Sequence, residues 1–171
     1  MHAPFFKQLM KAYKGGVPME KTSSYTYFAI QSKGEIAKGF VAYEKGIFNP
    51  EEITRILDIQ AFSSWAYGDK RVDGSEYLFS TWSAEKSEIG RLDVEAQCRD
   101  TIKNLKNKVS QLNRIKQQYD VKFVLVIVPS IYHEEQPWIS FNEEVIEFCY
   151  LTGTTIEVDM YIHQLEDEES L

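Results

Sequence analysis

The sequence predicts one α+β domain, a two-layer sandwich with helices on one face of a mixed, mostly antiparallel sheet. Three observations predict it. Residues 121–128 form an almost continuous apolar run rich in β-branched residues, as suits a central strand covered on both faces. Cys98, Ile102, Leu105, Val109, Leu112, Ile115 and Tyr119 recur at steps of three and four, a helical stripe that needs a sheet or another helix beneath it. Strand-like and helix-like segments interleave, and their short connections permit antiparallel neighbours. At 171 residues the chain has the length of one domain with its own core. The preferred topology is a ferredoxin-like β-α-β-β-α-β core with a C-terminal extension.

Residues 1–22 form an N-terminal amphipathic segment and linker. Phe5, Phe6, Leu9, Met10 and Tyr13 make one apolar stripe, with Lys7, Lys11 and Lys14 opposite, and Gly15 and Gly16 end it. The stripe suits packing on the chain's own domain or on a second subunit, as in a homodimer, better than anchoring to an anionic membrane. The domain proper spans 23–165, and an acidic tail follows at 166–171.

Tyr25 to Ser32 is aromatic and β-favouring and reads as the first strand. Ile36 to Tyr43 is a second strand or a continuation of the first. Asn49-Pro50-Glu51-Glu52 opens a helix: Asn caps, Pro fits the first turn, and Glu52 completes a capping box. Tyr77 to Ser83 alternates as a strand. The long stripe makes Ile89 to Tyr119 a single helix, and Pro129 ends the apolar strand after it. A short strand is expected at Trp138 to Ser140, then a helix capped by Ser140 with Glu143 and ended by Gly153. Thr155 to His163 alternates as the last strand. Ile156, Val158, Met160 and Ile162 form its buried face, and Thr155, Glu157, Asp159, Tyr161 and His163 its polar one.

The composition excludes several functions. A net charge of −7 argues against nucleic acid, whose phosphates call for a basic surface. Cys98 and Cys149 are the two cysteines, on apolar helix faces and without metal-ligand spacing, so metal and redox work are not expected. Neither a signal peptide nor a membrane span is read, and the expected location is the cytoplasm.

The order of motifs is familiar. An aromatic first strand precedes Pro50-Glu51-Glu52-Ile53-Thr54-Arg55-Ile56-Leu57, then Trp65-x-x-Gly68-Asp69 and Ser80-x-Trp82-Ser83. The end is Ile139-Ser140-Phe141-Asn142-Glu143-Glu144, Gly153 and Asp159-Met160-Tyr161. From about Tyr25 to Tyr161 the chain resembles the bacterial domain-of-unknown-function family 4279. The resemblance implies a small bacterial cytoplasmic protein and brings no catalytic residues with it. The N-terminal stripe and Ile36 to Gly46 look like additions to the family pattern.

Several residue groups are weighed as sites. Glu157, Asp159 and His163 share a strand face, but steps of about 6–7 Å per two residues spread them too far for one metal ion. His133, Glu134 and Glu135 form a polar loop with no nucleophile tied to it. Gly68-Asp69-Lys70-Arg71 lacks the glycine spacing of a phosphate loop. Arg99, Lys103, Lys106, Lys108, Arg114 and Lys116 read as a solvated basic helix face. The preferred binding set is Trp65, Tyr67, Asp69, Lys70, Arg71 and Trp82, because Trp and Tyr concentrate at binding hot spots. A hairpin between the two Trp segments would bring them together. No catalytic residue, cofactor or metal is expected. The expected function is therefore a non-catalytic protein-interaction module, of which an immunity-type inhibitor is one form. The other reading is a small-ligand protein or enzyme with a pocket near Trp65 and Trp82.

Overall fold

A computed structural model describes residues 21–37, 40–90, 92–132 and 136–163. The chain runs β1 (Ser23–Gln31), β2 (Lys33–Ala37), β3 (Phe40–Lys45), α1 (Pro50–Leu57), β4 (Ser63–Trp65), β5 (Thr81–Ser83) and α2 (Val94–Ile102). A single 3-10 turn, Lys106–Lys108, leads to α3 (Val109–Tyr119), β6 (Lys122–Tyr132), α4 (Glu143–Thr152), β7 (Thr154–Val158) and β8 (Tyr161–His163). The amphipathic segment before residue 21, the tail at 166–171 and the loop at 133–135 lie outside the described residues.

The main sheet has the order β4-β5-β1-β6-β7, with β8 beside β6 beyond the end of β7. The pairs β4–β5, β5–β1 and β1–β6 are antiparallel, whereas β7 and β8 run parallel to β6. Omitting the β2–β3 hairpin, β1-α1-β4-β5-α2-β6 is the split β-α-β order of a ferredoxin-like core, and α4 with β7 and β8 extends it. The hairpin is inserted between β1 and α1 and forms its own two-stranded sheet. It returns to the body at Gly46, whose φ is 72°. A Cβ there would stand 2.8 Å from the Asp120 carbonyl oxygen, so the close approach to the end of α3 requires glycine.

Alternation along β1 and β6 divides the core. Phe28, Ile30, Phe123, Leu125 and Ile127 face the helices and pack with Ile53, Leu57, Cys98, Ile102, Leu112, Ile115 and Val145. Ala29, Val124, Val126 and Val128 occupy the opposite face, with Tyr25, Tyr27 and Tyr161 packed on them. Strand β6 is thus buried on both sides, as its apolar run requires.

Several expectations need correction. The segment 89–119 is two helices, not one. Asp93 caps α2 through the Ala96 N–H at 3.0 Å, so the helix begins well after Ile89. It ends at Ile102, and Leu105 is buried in the turn between the helices. The apolar rhythm crosses that turn unbroken because a buried residue in a turn fits the same spacing. In the expected strand 77–83 only 81–83 join the sheet, and Trp138 makes a lone bridge to Asp93. The cap of α4 is Asn142, whose side chain accepts from the Val145 N–H at 3.1 Å, while Ser140 turns to Glu95. Asn49 caps α1, but Glu52 completes no capping box and instead accepts the Tyr119 hydroxyl at 2.5 Å.

Pro129 lies inside β6 rather than after it. The Asp159 N–H donates to the Ile127 carbonyl, so residue 129 also turns its backbone towards the β7–β8 side. There a proline has no N–H to offer the Asp159 carbonyl. The ladder breaks at that point, and the last strand divides into β7 and β8 without a change of register. Its apolar row also departs from expectation. Ile156 packs on the core, but Val158, Met160 and Ile162 are 48%, 46% and 69% exposed.

Candidate functional site

The β4–β5 register places Ser63 opposite Ser83, Ser64 opposite Trp82 and Trp65 opposite Thr81. Facing residues share a side of the sheet, so the two tryptophans lie on opposite sides. Trp82 is on the helix side, 0% exposed, and its indole N–H donates to Thr54 Oγ1 at 2.9 Å. It is a core residue, and the surface expected to join it with Trp65 does not form.

Trp65 heads a different group. Its ring stacks on Tyr77 at 4.6 Å and 19°, and Phe79 meets it edge-on at 5.6 Å. The Arg71 guanidinium lies 4.6 Å from the Tyr77 ring centre, a cation–π contact that extends the row. Trp65 Nε1 and Arg71 Nε are buried atoms without a hydrogen-bond partner among the described residues.

The loop carrying this row is braced by its own bonds. The Gly68 N–H donates to the Tyr77 carbonyl at 2.8 Å, the Tyr77 N–H to Asp69 at 2.9 Å, and the Arg71 N–H to Ser75 at 2.8 Å. Asp69 accepts the Ala66 N–H at 2.7 Å, and Lys70 pairs with Glu76 at 2.6 Å. At the tip Asp73 accepts from Ser75, which holds its carboxyl below the usual range. Ser80 ties the base together, accepting from the Phe48 and Tyr67 N–H groups. Asp69 and Lys70 therefore serve the loop first. Tyr67 is 51% exposed. Tyr77 and Phe79 join the Trp65 group, although the sequence placed them only in the strand expected at 77–83; the signal was four aromatic residues within 65–79.

A second group occupies the sheet face away from the helices. Tyr25 and Tyr27 stack at 6.3 Å, and the Tyr161 hydroxyl donates to Asp159 at 3.0 Å. Burial, helped by Tyr27, Tyr161 and Asp159, pushes the Tyr25 hydroxyl up to about 12. Burial, then Asp159, Glu157 and Tyr161, raises Tyr27 as well. Lys86 lies 4.1 Å from the Tyr25 ring centre, and burial lowers its pKa. Nearby, His163 stacks flat on Tyr132 at 4.0 Å and shares a hydrogen bond with Ser130 Oγ at 2.9 Å. Among the described residues no carboxylate is hydrogen-bonded to His163.

The other sequence candidates are also placed. Glu157 faces Lys122 at 3.7 Å, and no three His, Cys, Asp or Glu side chains among the described residues converge on a metal position. Much of the basic helix face is paired: Arg99 and Lys106 reach Glu144, Lys103 reaches Asp100, and Lys116 donates to the Thr152 and Gly153 carbonyls. Burial pushes the Cys98 thiol up to about 12 and Cys149 up to about 11, which disfavours their thiolates. Two of the clefts among the described residues bear on the site. One, of about 170 Å³, lies between the loop after β5 and α2 and is lined by Glu85, Glu88, Asp100 and Lys103. The other lies beside Asp93, Glu95 and Trp138. Neither touches Trp65 or Trp82. Among the described residues no helix is long and apolar enough to cross a membrane.

Comparison with known proteins returns one family model, described as Domain of unknown function (DUF4279), which matches residues 22–163. No curated protein and no solved structure matches.

Proposed function

We propose that this chain, which belongs to the DUF4279 family, is a non-catalytic protein-interaction module that binds its partner with the loop between β4 and β5. One observation carries the reading: Arg71, Tyr77, Trp65 and Phe79 form a row of cation–π, stacked and edge-on contacts where the end of β4 meets a loop held by its own hydrogen bonds. Rigid aromatic side chains lose little entropy on binding, and a braced loop has met much of its ordering cost beforehand. Tyr67, Val72 and Leu78, exposed on the same loop, would supply apolar contact, with Lys70 and Glu76 as polar rim. The ligand-pocket or enzyme reading has less support, because Trp65 and Trp82 lie on opposite sides of the sheet and neither of the two clefts described is lined by them.

The setting we propose is the bacterial cytoplasm, in keeping with two buried cysteines that form no disulfide. The acidic chain, at −7, suits a basic protein partner and disfavours nucleic acid. An immunity-type inhibitor of a basic toxin is the narrower form of this reading.

Photo-crosslinking tests it. A photoreactive phenylalanine at Tyr67 should capture one protein in the native host, and Arg71→Ala should abolish the capture while the far-ultraviolet circular dichroism stays unchanged. The same probe at Asn113, on α3, should capture nothing in common. Equal capture from both positions, or capture indifferent to Arg71→Ala, rejects the loop as the binding surface.

A further inference from the structure

We propose that the β7–β8 edge is a self-association surface, where a second copy of this chain adds antiparallel about a two-fold axis at Met160. Among the described residues the edge is long and has no strand on its outer side. From Thr154 to His163 the chain follows β6 in one register, Phe123 facing Thr154 and Tyr132 facing His163. The opposite sheet edge, β4, is only three residues long. Edge strands are commonly guarded by lysine, proline or a bulge; residues 154–163 contain neither lysine nor proline. They present instead Val158, Met160 and Ile162, an apolar row that a folded monomer has reason to cover.

Backbone direction selects the register. The Asp159 N–H points inward to Ile127, so Val158, Met160 and Ile162 direct their N–H and C=O groups outward. An antiparallel ladder through these groups with Met160 on the axis sets Val158 against Ile162 of the second copy and Met160 against Met160 of the second copy. The apolar rows then lie side by side on one face.

Charge on the other face agrees. The same register sets Glu157 opposite His163 of the second copy and Asp159 opposite Tyr161 of the second copy, so no two carboxylates face one another. Shifting the axis to Val158 would set Glu157 against Asp159 of the second copy, and like charges directly opposite destabilise a strand pair. Such an isologous contact closes on itself and yields a dimer rather than a fibre.

Sedimentation equilibrium of the full chain tests the proposal. The wild type should be a dimer. Ile162→Lys should be a monomer with unchanged circular dichroism, because it places a lysine in the apolar row of each copy. His163→Glu should weaken the dimer about tenfold by setting carboxylate against carboxylate twice, and Glu157→Lys added to it should restore the association. Arg71→Ala, on the distant loop, should leave the dimer intact, which separates this surface from the one proposed for the partner. A wild type that stays monomeric up to its solubility limit overturns the proposal and leaves the edge to an extended segment of another protein. So does a dimer that survives Ile162→Lys, or one that Glu157→Lys fails to restore.

Discussion

Trp82, in the middle of the three-residue strand β5, donates its indole N–H to Thr54 Oγ1 on α1 at 2.9 Å. This bond fixes α1 on the helix side of the sheet, and it takes the largest fully buried side chain out of any surface role. Thr54→Val keeps the shape but leaves the buried N–H without an acceptor. The expected loss is about 1–3 kcal/mol in urea unfolding, the usual cost of an unsatisfied buried donor. Trp82→Phe should cost at least as much through the cavity it opens, while relieving the unpaired donor when combined with Thr54→Val. Strict additivity of the two substitutions would show that the bond contributes nothing.

Tyr25 sets a pH dependence. Its hydroxyl is raised from 10.0 to about 12, chiefly by burial. The folded state therefore favours the neutral phenol. Its contribution to stability is complete below pH 10 and is lost as the pH rises through about 12. Absorbance at the tyrosinate band should show one tyrosine titrating near the top of this window, and Tyr25→Phe should remove it. Loss of stability between these limits should also be smaller in that variant. A titration curve unaltered by Tyr25→Phe contradicts the assignment.

The two ends of α4 separate a true cap from its neighbours. Asn142→Ala should destabilise by about 1 kcal/mol, because it frees the Val145 N–H, whereas Ser140→Ala should change stability by no more than about 0.5 kcal/mol. At the other end Gly153 has a φ of 60°, and an added Cβ would come 2.7 Å from Lys116 Nζ, which bonds the last carbonyls of the helix. Gly153→Ala should therefore cost about 1 kcal/mol or more, from the left-handed backbone together with the displaced lysine. Thermal unfolding of the three variants checks the ordering, and a larger loss for Ser140→Ala than for Asn142→Ala would contradict the observed cap.

Periodicity and local chemistry made much of this protein legible from its sequence. The apolar run of β6, the aromatic β1, the Asn49-Pro50 start of α1 and the Gly153 stop of α4 each have a cause within a few residues, and each stands where the pattern put it. The ferredoxin-like order followed from interleaved strands and helices with short connections. Tertiary structure alone decided the rest, because the deciding contacts join residues far apart in the chain. The stripe from Cys98 to Tyr119 has the same rhythm whether the backbone turns at residue 103 or not, and packing against the sheet and α4 settles that it turns. The last strand divides because Pro129, thirty residues earlier, offers no N–H to Asp159. Trp65 and Trp82 could be placed on one hairpin from their sequence positions, but the side each faces depends on a register that one residue's shift inverts. That register made Trp82 core and left Trp65 to stack with Tyr77 and Arg71, so the candidate binding loop owes its composition to the sequence and its geometry to the sheet.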